Sequence, residues 1–306
     1  MHRNDSVHIP VLLHEVVQWL EPEAGAVLVD GTMGGGGHTR ALAELVGAGG
    51  RVVSLDRDGD AIERTRRTLG NLPVTIVQAN FANLPEVLEE VQIERVDGVI
   101  LDLGLSSDQL ADENRGFSFS ADGPLDLRFD PERGEPASRL VNRLKAEHLA
   151  DLIYAYGEER HSRRIARAIV ERRRREPIET AGQLAEIVRR AIPGPRKKGQ
   201  IDPATRTFQA LRIAVNEELK SLEIALRRIP DCIHVGGRLG IISFHSLEDR
   251  RVKEAFRDDG RLEVLTKKPI RPGEEECRLN PRSRSAKFRV ARIAESGDDT
   301  REISAQ

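Results

Sequence analysis

The chain has 306 residues, of which 39% are hydrophobic and 32% charged, and this length favours one large domain or a core with a smaller second unit. No apolar run approaches the ~20 residues of a membrane span. Residues 1–10 lack the apolar stretch of a signal peptide, and two cysteines, Cys232 and Cys277, are too few for a disulfide framework or a four-ligand zinc site. With a net charge of −2, the composition predicts a soluble cytoplasmic protein with no membrane partner and no metal site, and it does not indicate an oligomeric state.

The first third of the chain alternates short apolar segments with stretches of helical periodicity. Each of four apolar segments is followed by a polar residue. Asp30 follows segment 26–29, Asp56 follows 51–55, Asn80 comes shortly after 74–77, and Asp102 follows 96–101. This alternation predicts an α/β fold with a doubly wound, mostly parallel sheet. Ligands of such sheets bind at the carboxyl ends of the strands, so we expect the functional site along that edge.

A glycine-rich loop, residues 30–38 (DGTMGGGGH), follows the first of these segments and opens a helix at Thr39. Glycines let the backbone turn tightly and approach a ligand closely, and such loops serve dinucleotides, nucleoside triphosphates and S-adenosylmethionine. A Walker loop is excluded because neither Lys-Ser nor Lys-Thr follows the glycines. The alternative is a merely flexible turn, but four successive glycines would then weaken the adjoining strand and helix without purpose. The loop therefore predicts a ligand site.

Polar residues at the next strand ends narrow the choice of ligand. Asp56 stands roughly 20 residues beyond the loop, where a carboxylate can accept both hydroxyls of a ribose in either NAD or S-adenosylmethionine. Asn80 and Phe81 are placed to bracket an adenine ring, and Asp102 begins a polar turn where a methyl donor would meet its acceptor. A dehydrogenase would require a catalytic His or Lys beside the nicotinamide ring of NAD. The available histidines stand in no recognisable hydride-transfer motif and have no metal-ligand spacing; they are His148, His161, His234 and His245.

About 130 residues separate Asp102 from the next predicted strand, at 237–243, whereas ordinary crossovers need about 10–15. We interpret the excess as an inserted helical subdomain, with helices predicted over 137–156, 159–175 and 180–191. A long helix from Phe208 to Ile229 is predicted to return to the sheet, because its apolar residues recur every three or four positions. A helix near 247–256 and strands near 262–265 and 286–293 follow, and the polar tail, 295–306, is expected to be disordered.

Charge is distributed unevenly along the chain. Residues 1–132 carry 10 basic and 23 acidic side chains, for −13; residues 133–212 carry 19 and 10, for +9; and the remainder carries 19 and 17, for +2. A basic segment of this kind favours contact with a polyanion such as nucleic acid. For any single arginine, a solvated helix face is the simpler interpretation.

The ordered set of motifs resembles the bacterial ribosomal small subunit methyltransferase H family over most of the chain. The matching stretches are residues 8–13 (HIPVLL), 30–38, 102–107 (DLGLSS) with Gln109-Leu110, 115–119 (RGFSF), 203–213 (PATRTFQALRI), 243–250 (SFHSLEDR) and 284–287 (RSAK). Each stretch alone is a weak signal, whereas the set in this order is specific.

The resemblance implies a Rossmann-like class I methyltransferase core at residues 1–110 and 205–306, with an inserted helical RNA- and substrate-recognition subdomain at 111–204. It implies methyl transfer from S-adenosylmethionine to the N4 amine of a decoding-centre cytidine in the 16S rRNA of the small ribosomal subunit. It also implies seven cofactor-binding residues: Gly36, Gly37, His38, Asp56, Phe81, Asp102 and Gln109. An Asn/Asp-Pro-Pro-aromatic motif, known from other amino-methyltransferases, is missing, and residues 102–105 (DLGL) stand in its place.

Asp102 is the candidate catalytic residue, because a carboxylate can accept hydrogen bonds from N4 and stabilise the positive charge that develops there. The alternative is that Asp102 binds only the amino-acid end of the cofactor. RNA contact is expected from a set of basic residues: Arg160, Arg163, Arg164, Arg167, Arg172 to Arg175, Arg196, Lys197, Lys198, Arg282, Arg284, Lys287 and Arg289. The alternative functions are an NAD-dependent oxidoreductase and a catalytically silent RNA-binding assembly factor.

Overall fold

The structure, a computed structural model, describes residues 10–106, 109–110, 112–118, 122–192 and 202–295. These residues fall into two compact units. The first, here called the helical unit, takes in Arg57–Thr65 and Leu105–Leu222. The second, here called the sheet unit, takes in Ile9–Asp56, then Arg66–Gly104, and the residues from Glu223 onwards. The tail predicted to be disordered lies, from residue 296, outside the described residues.

The sheet unit contains one seven-stranded sheet in the order β3-β2-β1-β4-β5-β7-β6. The strands are β1 (Val27–Asp30), β2 (Arg51–Asp56), β3 (Val74–Gln78), β4 (Val96–Asp102), β5 (Ile233–Ser243), β6 (Leu262–Val264) and β7 (Lys287–Ile293). The strands β1 to β5 pair in parallel, and β7 lies antiparallel to both β5 and β6. The predicted mostly parallel α/β sheet is confirmed, although β5 begins at Ile233 rather than at residue 237.

The helices, in chain order, are α1 (Leu13–Leu20), α2 (Gly37–Val46), α3 (Gly59–Leu69), α4 (Leu84–Glu90), α5 (Ala137–Arg143), α6 (Ala146–Gly157), α7 (Ser162–Arg173), α8 (Ala181–Ala191), α9 (Ala204–Asn216), α10 (Glu218–Arg228), α11 (Ser246–Asp258) and α12 (Glu274–Leu279). In the described ranges, no helix is long and apolar enough to cross a bilayer. A core of apolar side chains from α1, α2 and the strands, including Leu42, Val52, Ile100 and Phe288, is fully buried in the sheet unit. That core fixes the strand ends from which the site residues project.

The helical unit has its own apolar core, which includes Leu149, Ile165 and Leu184. Two helix predictions were wrong here. The helix predicted over 137–156 is divided into α5 and α6, because the backbone is extended at residues 144 and 145 (ψ of 141° and 153°). The predicted helix through 208–229 is divided into α9 and α10 at Glu217, which has a left-handed φ of 50°. The helical unit spans more of the chain than the 111–204 range predicted for the insertion, whose recognition role stays a prediction.

Candidate functional site

The glycine-rich loop leaves the carboxyl end of β1 and leads into α2. A Cβ atom on Gly31 would overlap Leu101 Cδ2 and lie 3.1 Å from the Cβ of Phe81, so a side chain at this position would displace its neighbours. The N–H of Met33 donates to the carbonyl of Leu55 at 2.8 Å. The loop is therefore held against the carboxyl ends of β2 and β4, at Leu55 and Leu101, and against Phe81, which lies three residues beyond the end of β3.

Asp30, at the end of β1, is fully buried and binds both ends of the loop. Its Oδ2 accepts from Thr39 Oγ1 at 2.7 Å, and its Oδ1 accepts from the Thr32 N–H at 3.1 Å. The Thr39 hydroxyl also lies 2.9 Å from Ser54 Oγ. A buried carboxylate is tolerated when such donors satisfy it. The sequence identified Asp30 as a strand end but gave no local signal of its partner nine residues away.

Asp56 and Phe81 stand at the adjacent strand ends, as the sequence predicted. Asp56 is the last residue of β2, and its Oδ2 accepts from the Gly34 N–H at 2.8 Å. Phe81 is half-buried and begins a 3₁₀ helix, residues 81–83, after β3. The side-chain oxygen of Asn80 caps this helix by accepting from the Ala82 N–H at 3.0 Å, so that oxygen is engaged by the backbone. The proposed contacts of Asp56 and Phe81 with a cofactor stay predictions.

Asp102 ends β4 and faces His38 of the loop, with Asp102 Oδ2 3.9 Å from His38 Nδ1. His38 is buried, and its Nε2 lies 3.0 Å from the carbonyl oxygen of Val11. The backbone N–H of Asp102 donates to Thr32 Oγ1 at 2.6 Å. Two loop residues, Thr32 and His38, therefore lie against the end of β4. Gly36 precedes α2 and Gly37 is its first residue, so both stand beside His38 in the same loop.

The carboxyl of Asp102 is unusually hard to ionise. Burial raises its pKa to about 6, while His38 and the N–H of Gly104, 3.4 Å from Oδ1, act in the opposite direction. The side chain is 15% exposed. A carboxyl with a pKa near neutrality at a strand end is typical of a site that binds or moves protons. When ionised, Asp102 offers an acceptor for an amine.

Gln109, the remaining predicted cofactor residue, belongs to the helical unit. Its Oε1 accepts from the Ser106 N–H at 3.0 Å, and its Nε2 donates to Asp58 Oδ2 at 3.2 Å. Asp58 is also paired with Arg115, whose Nη1 lies 3.3 Å from Oδ2. All four side chains are buried, so Gln109 takes part in a closed polar network within its own unit. Its contact with a cofactor stays a prediction.

The motif at residues 243–250 links the end of β5 to the start of α11. His245 caps this helix: its Nδ1 accepts from the Glu248 N–H at 3.4 Å. Glu248 Oε2 accepts in turn from the Phe244 N–H at 2.8 Å. His245 therefore has a capping role at the start of α11. The other three histidines singled out in the sequence are exposed; they are His148, His161 and His234.

The basic residues predicted to bind RNA divide into two groups. Four are exposed on α7 or just before it: Arg160, Arg163, Arg164 and Arg167. Others are engaged within the protein. Arg172 pairs with Glu176 at 2.8 Å, Arg174 pairs with Glu171 at 3.1 Å, and Arg173 Nη1 donates to the Val141 carbonyl at 2.5 Å.

Of the further basic residues, two are bound within the protein, Arg282 is half-buried, one is exposed, and three lie outside the described ranges. Lys287 and Arg289 both pair with Asp249, at 3.0 and 2.8 Å. Burial opposes ionisation of Asp249, but its hydrogen bonds to Arg289 and Lys287 outweigh this and hold its pKa below the usual value. Arg284 is exposed, and residues 196–198 lie outside the described residues.

Comparison with known proteins shows a family match over nearly the whole chain. The model of the MraW methylase family matches residues 5–294. The chain is 49% identical over 302 residues to a ribosomal RNA small subunit methyltransferase H from Rhodopirellula baltica, covering 95% of this chain and 93% of that protein. It is 51% identical over 287 residues to the protein of the same name from Cyanothece sp., covering 93% and 94%. Among solved structures, an rRNA methylase from Streptococcus thermophilus is 13% identical, with a TM-score of 0.43 and coverage of 92% and 94%.

Proposed function

Because this chain belongs to the MraW methylase family, we propose that it transfers a methyl group from S-adenosylmethionine to the N4 amine of a decoding-centre cytidine in 16S rRNA. The family resemblance noted in the sequence is confirmed, and its relatives are named as methyltransferases of small-subunit ribosomal RNA. The choice of nucleoside, of its N4 atom and of its place in the decoding centre is the proposal. The observation that supports it best is the half-buried carboxyl of Asp102, held beside the glycine-rich loop at the end of β4.

The residues around the loop fit S-adenosylmethionine. Asp56 presents a carboxylate at the end of β2, suited to the ribose hydroxyls, and Phe81 presents a half-buried ring after β3, suited to the adenine. Gly36 and Gly37, where the loop leads into α2, have no side chain that would crowd a ligand. When bound, the cofactor supplies an electrophilic methyl group on a sulfonium. The protein must then bring an amine into line with that methyl and keep competing water away.

The exocyclic amine of cytosine is a weak nucleophile, because its lone pair is delocalised into the ring. An ionised Asp102 carboxylate can accept a hydrogen bond from N4 and so favour localisation of that lone pair. The same carboxylate stabilises the positive charge that N4 acquires as the new carbon–nitrogen bond forms. With a pKa of about 6, Asp102 can then take a proton from N4 and release it to water. Most of the rate acceleration would come from positioning and fixed charge.

The target cytidine must leave its stack to reach a strand end, as in other enzymes that modify bases. The exposed arginines of α7, which include Arg163 and Arg167, supply positive charge to hold the RNA backbone in place. We propose contact with phosphates and with RNA shape, without sequence readout. In this proposal the helical unit recognises the small-subunit rRNA and the sheet unit performs the transfer.

A direct assay tests the proposal. The purified chain is incubated with S-adenosylmethionine carrying a labelled methyl group and with small ribosomal subunits that lack the modification, and naked 16S rRNA serves as a parallel substrate. Nucleoside analysis is expected to show N4-methylcytidine at one position. Label in another nucleoside would contradict the assignment to N4. A chain that binds S-adenosylmethionine and subunits but transfers no label would be the silent assembly factor, and tight binding of NADH alone would favour the oxidoreductase.

A further inference from the structure

We propose that Phe244 forms the aromatic wall against which the target base stacks while Asp102 holds its amine. This inference rests on the proposed function, because it assigns a residue to the acceptor side of the same site. An enzyme that takes a base out of its stack replaces the lost stacking with an aromatic or apolar side chain. A candidate for that side chain must lie at the carboxyl edge of the sheet, beside Asp102, and must be partly open.

Phe244 meets these requirements in the sheet unit. The strands β4 and β5 are neighbours, Asp102 is paired in register with Ile242, and the Leu103 N–H donates to the Ile242 carbonyl at 3.0 Å. Phe244 is two residues beyond Ile242 and is the first residue after β5, which ends at Ser243. Its side chain is half-buried, with one part packed against the apolar core of the sheet unit.

The ring of Phe244 lies on the turn that follows Asp102. A Cβ atom placed on Gly104 would be 2.7 Å from Cε2 and 2.9 Å from Cζ of Phe244, which is closer than real Cβ contacts. Position 104 therefore needs glycine because the ring occupies the space where a side chain would stand. The backbone of Phe244 is fixed as well, since its N–H donates to the buried carboxylate of Glu248. The ring is thus held in place before any base arrives.

The order of strands separates a cofactor side from an acceptor side. The proposed cofactor residues Asp56 and Phe81 follow β2 and β3, on one side of β4, whereas Phe244 follows β5, on the other. Asp102 stands between them at the end of β4. If the cofactor binds at the carboxyl ends of β1 to β3, its methyl group is transferred to an acceptor that lies at the carboxyl ends of β4 and β5. Phe244 is placed where that acceptor must lie.

The inference also accounts for the missing Asn/Asp-Pro-Pro-aromatic motif. In residues 102–105 the fourth position is Leu105, which packs against the core of the helical unit and offers no aromatic ring. Phe244 supplies a ring from the neighbouring strand instead. The other aromatic residues that the structure describes in the sheet unit are less suitable, and one of them, Phe81, lies after β3 on the proposed cofactor side. Phe256 and Phe288 are fully buried, and Trp19 lies near the middle of β5, away from its carboxyl end, where its carbonyl accepts from Arg238 Nη1 at 2.6 Å.

The test compares Phe244→Ala, Phe244→Tyr and Trp19→Leu in the methylation assay on small subunits, with calorimetric titration of S-adenosylmethionine as a second readout. Trp19 is the matched control, because it is also half-buried and packs on the same core. We expect Phe244→Ala to lower kcat/KM for the subunit roughly 10- to 100-fold, the size expected for one base–aromatic stack, with unchanged cofactor affinity. Phe244→Tyr should restore most of the activity, and Trp19→Leu should keep it.

Gly104→Ala gives an independent measurement. Its added Cβ would push the Phe244 ring aside, so we expect it to lower kcat/KM in the wild-type background and to have little further effect in Phe244→Ala. Wild-type kcat/KM in Phe244→Ala would overturn the assignment, and so would a parallel loss of cofactor affinity or an equal loss in Trp19→Leu. If the wild-type chain methylates no cytidine, the proposed function itself fails. Activity in the wild type that persists in Phe244→Ala overturns the role of Phe244 alone.

Discussion

Asp102 Oδ2 lies 3.9 Å from His38 Nδ1, and the other ring nitrogen of His38 is hydrogen-bonded to the carbonyl of Val11. Because a carbonyl oxygen can only accept, His38 Nε2 must carry a hydrogen in every protonation state that keeps this bond. Nδ1 is therefore the ring nitrogen that faces Asp102. The glycine-rich loop and the end of β4 are in this way electrostatically coupled.

The pKa of Asp102 predicts a pH dependence of stability. In the folded chain this pKa is about 6, above its value of 3.8 in a model compound. Folding therefore favours the protonated carboxyl, so this contribution to stability is fully present below pH ~4 and is lost as pH rises through ~6. The loss amounts to about 3 kcal/mol. Unfolding titrations of the wild type and Asp102→Asn across this range should show a difference that changes with pH. A constant difference would contradict the raised pKa.

Replacement of Asp102 by Asn should lower the methyl-transfer rate more than the affinity for S-adenosylmethionine. The amide keeps the size of the side chain but loses the charge that would stabilise a positive N4. Single-turnover transfer on small subunits and calorimetric titration of the cofactor measure the two effects separately. The wild-type rate should also rise between pH ~5 and ~7 as Asp102 ionises. Equal losses of rate and cofactor affinity would instead favour a role in binding the cofactor only.

Asp56→Ala should weaken binding of S-adenosylmethionine. It removes the proposed acceptor for the ribose hydroxyls, and loss of a hydrogen bond to a charged group costs roughly 1.5–3 kcal/mol. The same change also removes the acceptor of the Gly34 N–H, so the loop loses one of its anchors. Calorimetry on the folded variant checks the affinity, and Asp97→Ala, a carboxylate in β4 that accepts from the Val27 N–H, serves as a control. Unchanged affinity in Asp56→Ala would rule out its placement at the ribose.

Replacement of the four exposed arginines of the α7 region by Gln should weaken subunit binding and flatten its salt dependence. These residues are Arg160, Arg163, Arg164 and Arg167. The slope of log affinity against log salt should fall by about 0.7–0.9 for each phosphate that the variant no longer neutralises. The matched control replaces Arg172 to Arg175, because three of these four are engaged within the protein. S-adenosylmethionine affinity should be unchanged in both. If the control variant lost more subunit affinity than the variant of the exposed arginines, the proposed RNA contact at Arg160 to Arg167 would be wrong.

The strand ends could be predicted from the sequence because each apolar segment stops at a polar residue. Asp56 and Asp102 are indeed the last residues of β2 and β4. The interactions around them could not be predicted, because the Thr32 hydroxyl and the His38 ring reach Asp102 only through the path of the loop. Nor does any local pattern connect Phe244 with Gly104, since the two are brought together by the pairing of β4 with β5.

Helix ends were harder to predict than helices. The apolar spacing continues from Phe208 to Ile229, and this pattern alone favours one helix, yet Glu217 adopts a left-handed conformation and ends α9. Neither a glycine nor a proline marks the break. The same is true at residues 144 and 145, where an extended backbone separates α5 from α6 although the sequence keeps helical spacing. Packing within the helical unit, and not local preference, decides these positions.

The pairing of β4 with β5 across an intervening stretch has a consequence for the order of folding. Residues 105–222 separate the two strands and have an apolar core of their own. During synthesis this stretch emerges before β5, so the sheet cannot be completed until the whole stretch has been made. The strand β7, which pairs with β5 and whose Lys287 and Arg289 bind Asp249 of α11, comes later still in the chain. In a nascent chain, Asp102 therefore lacks the neighbouring strand β5 until residues 105–222 have been synthesised.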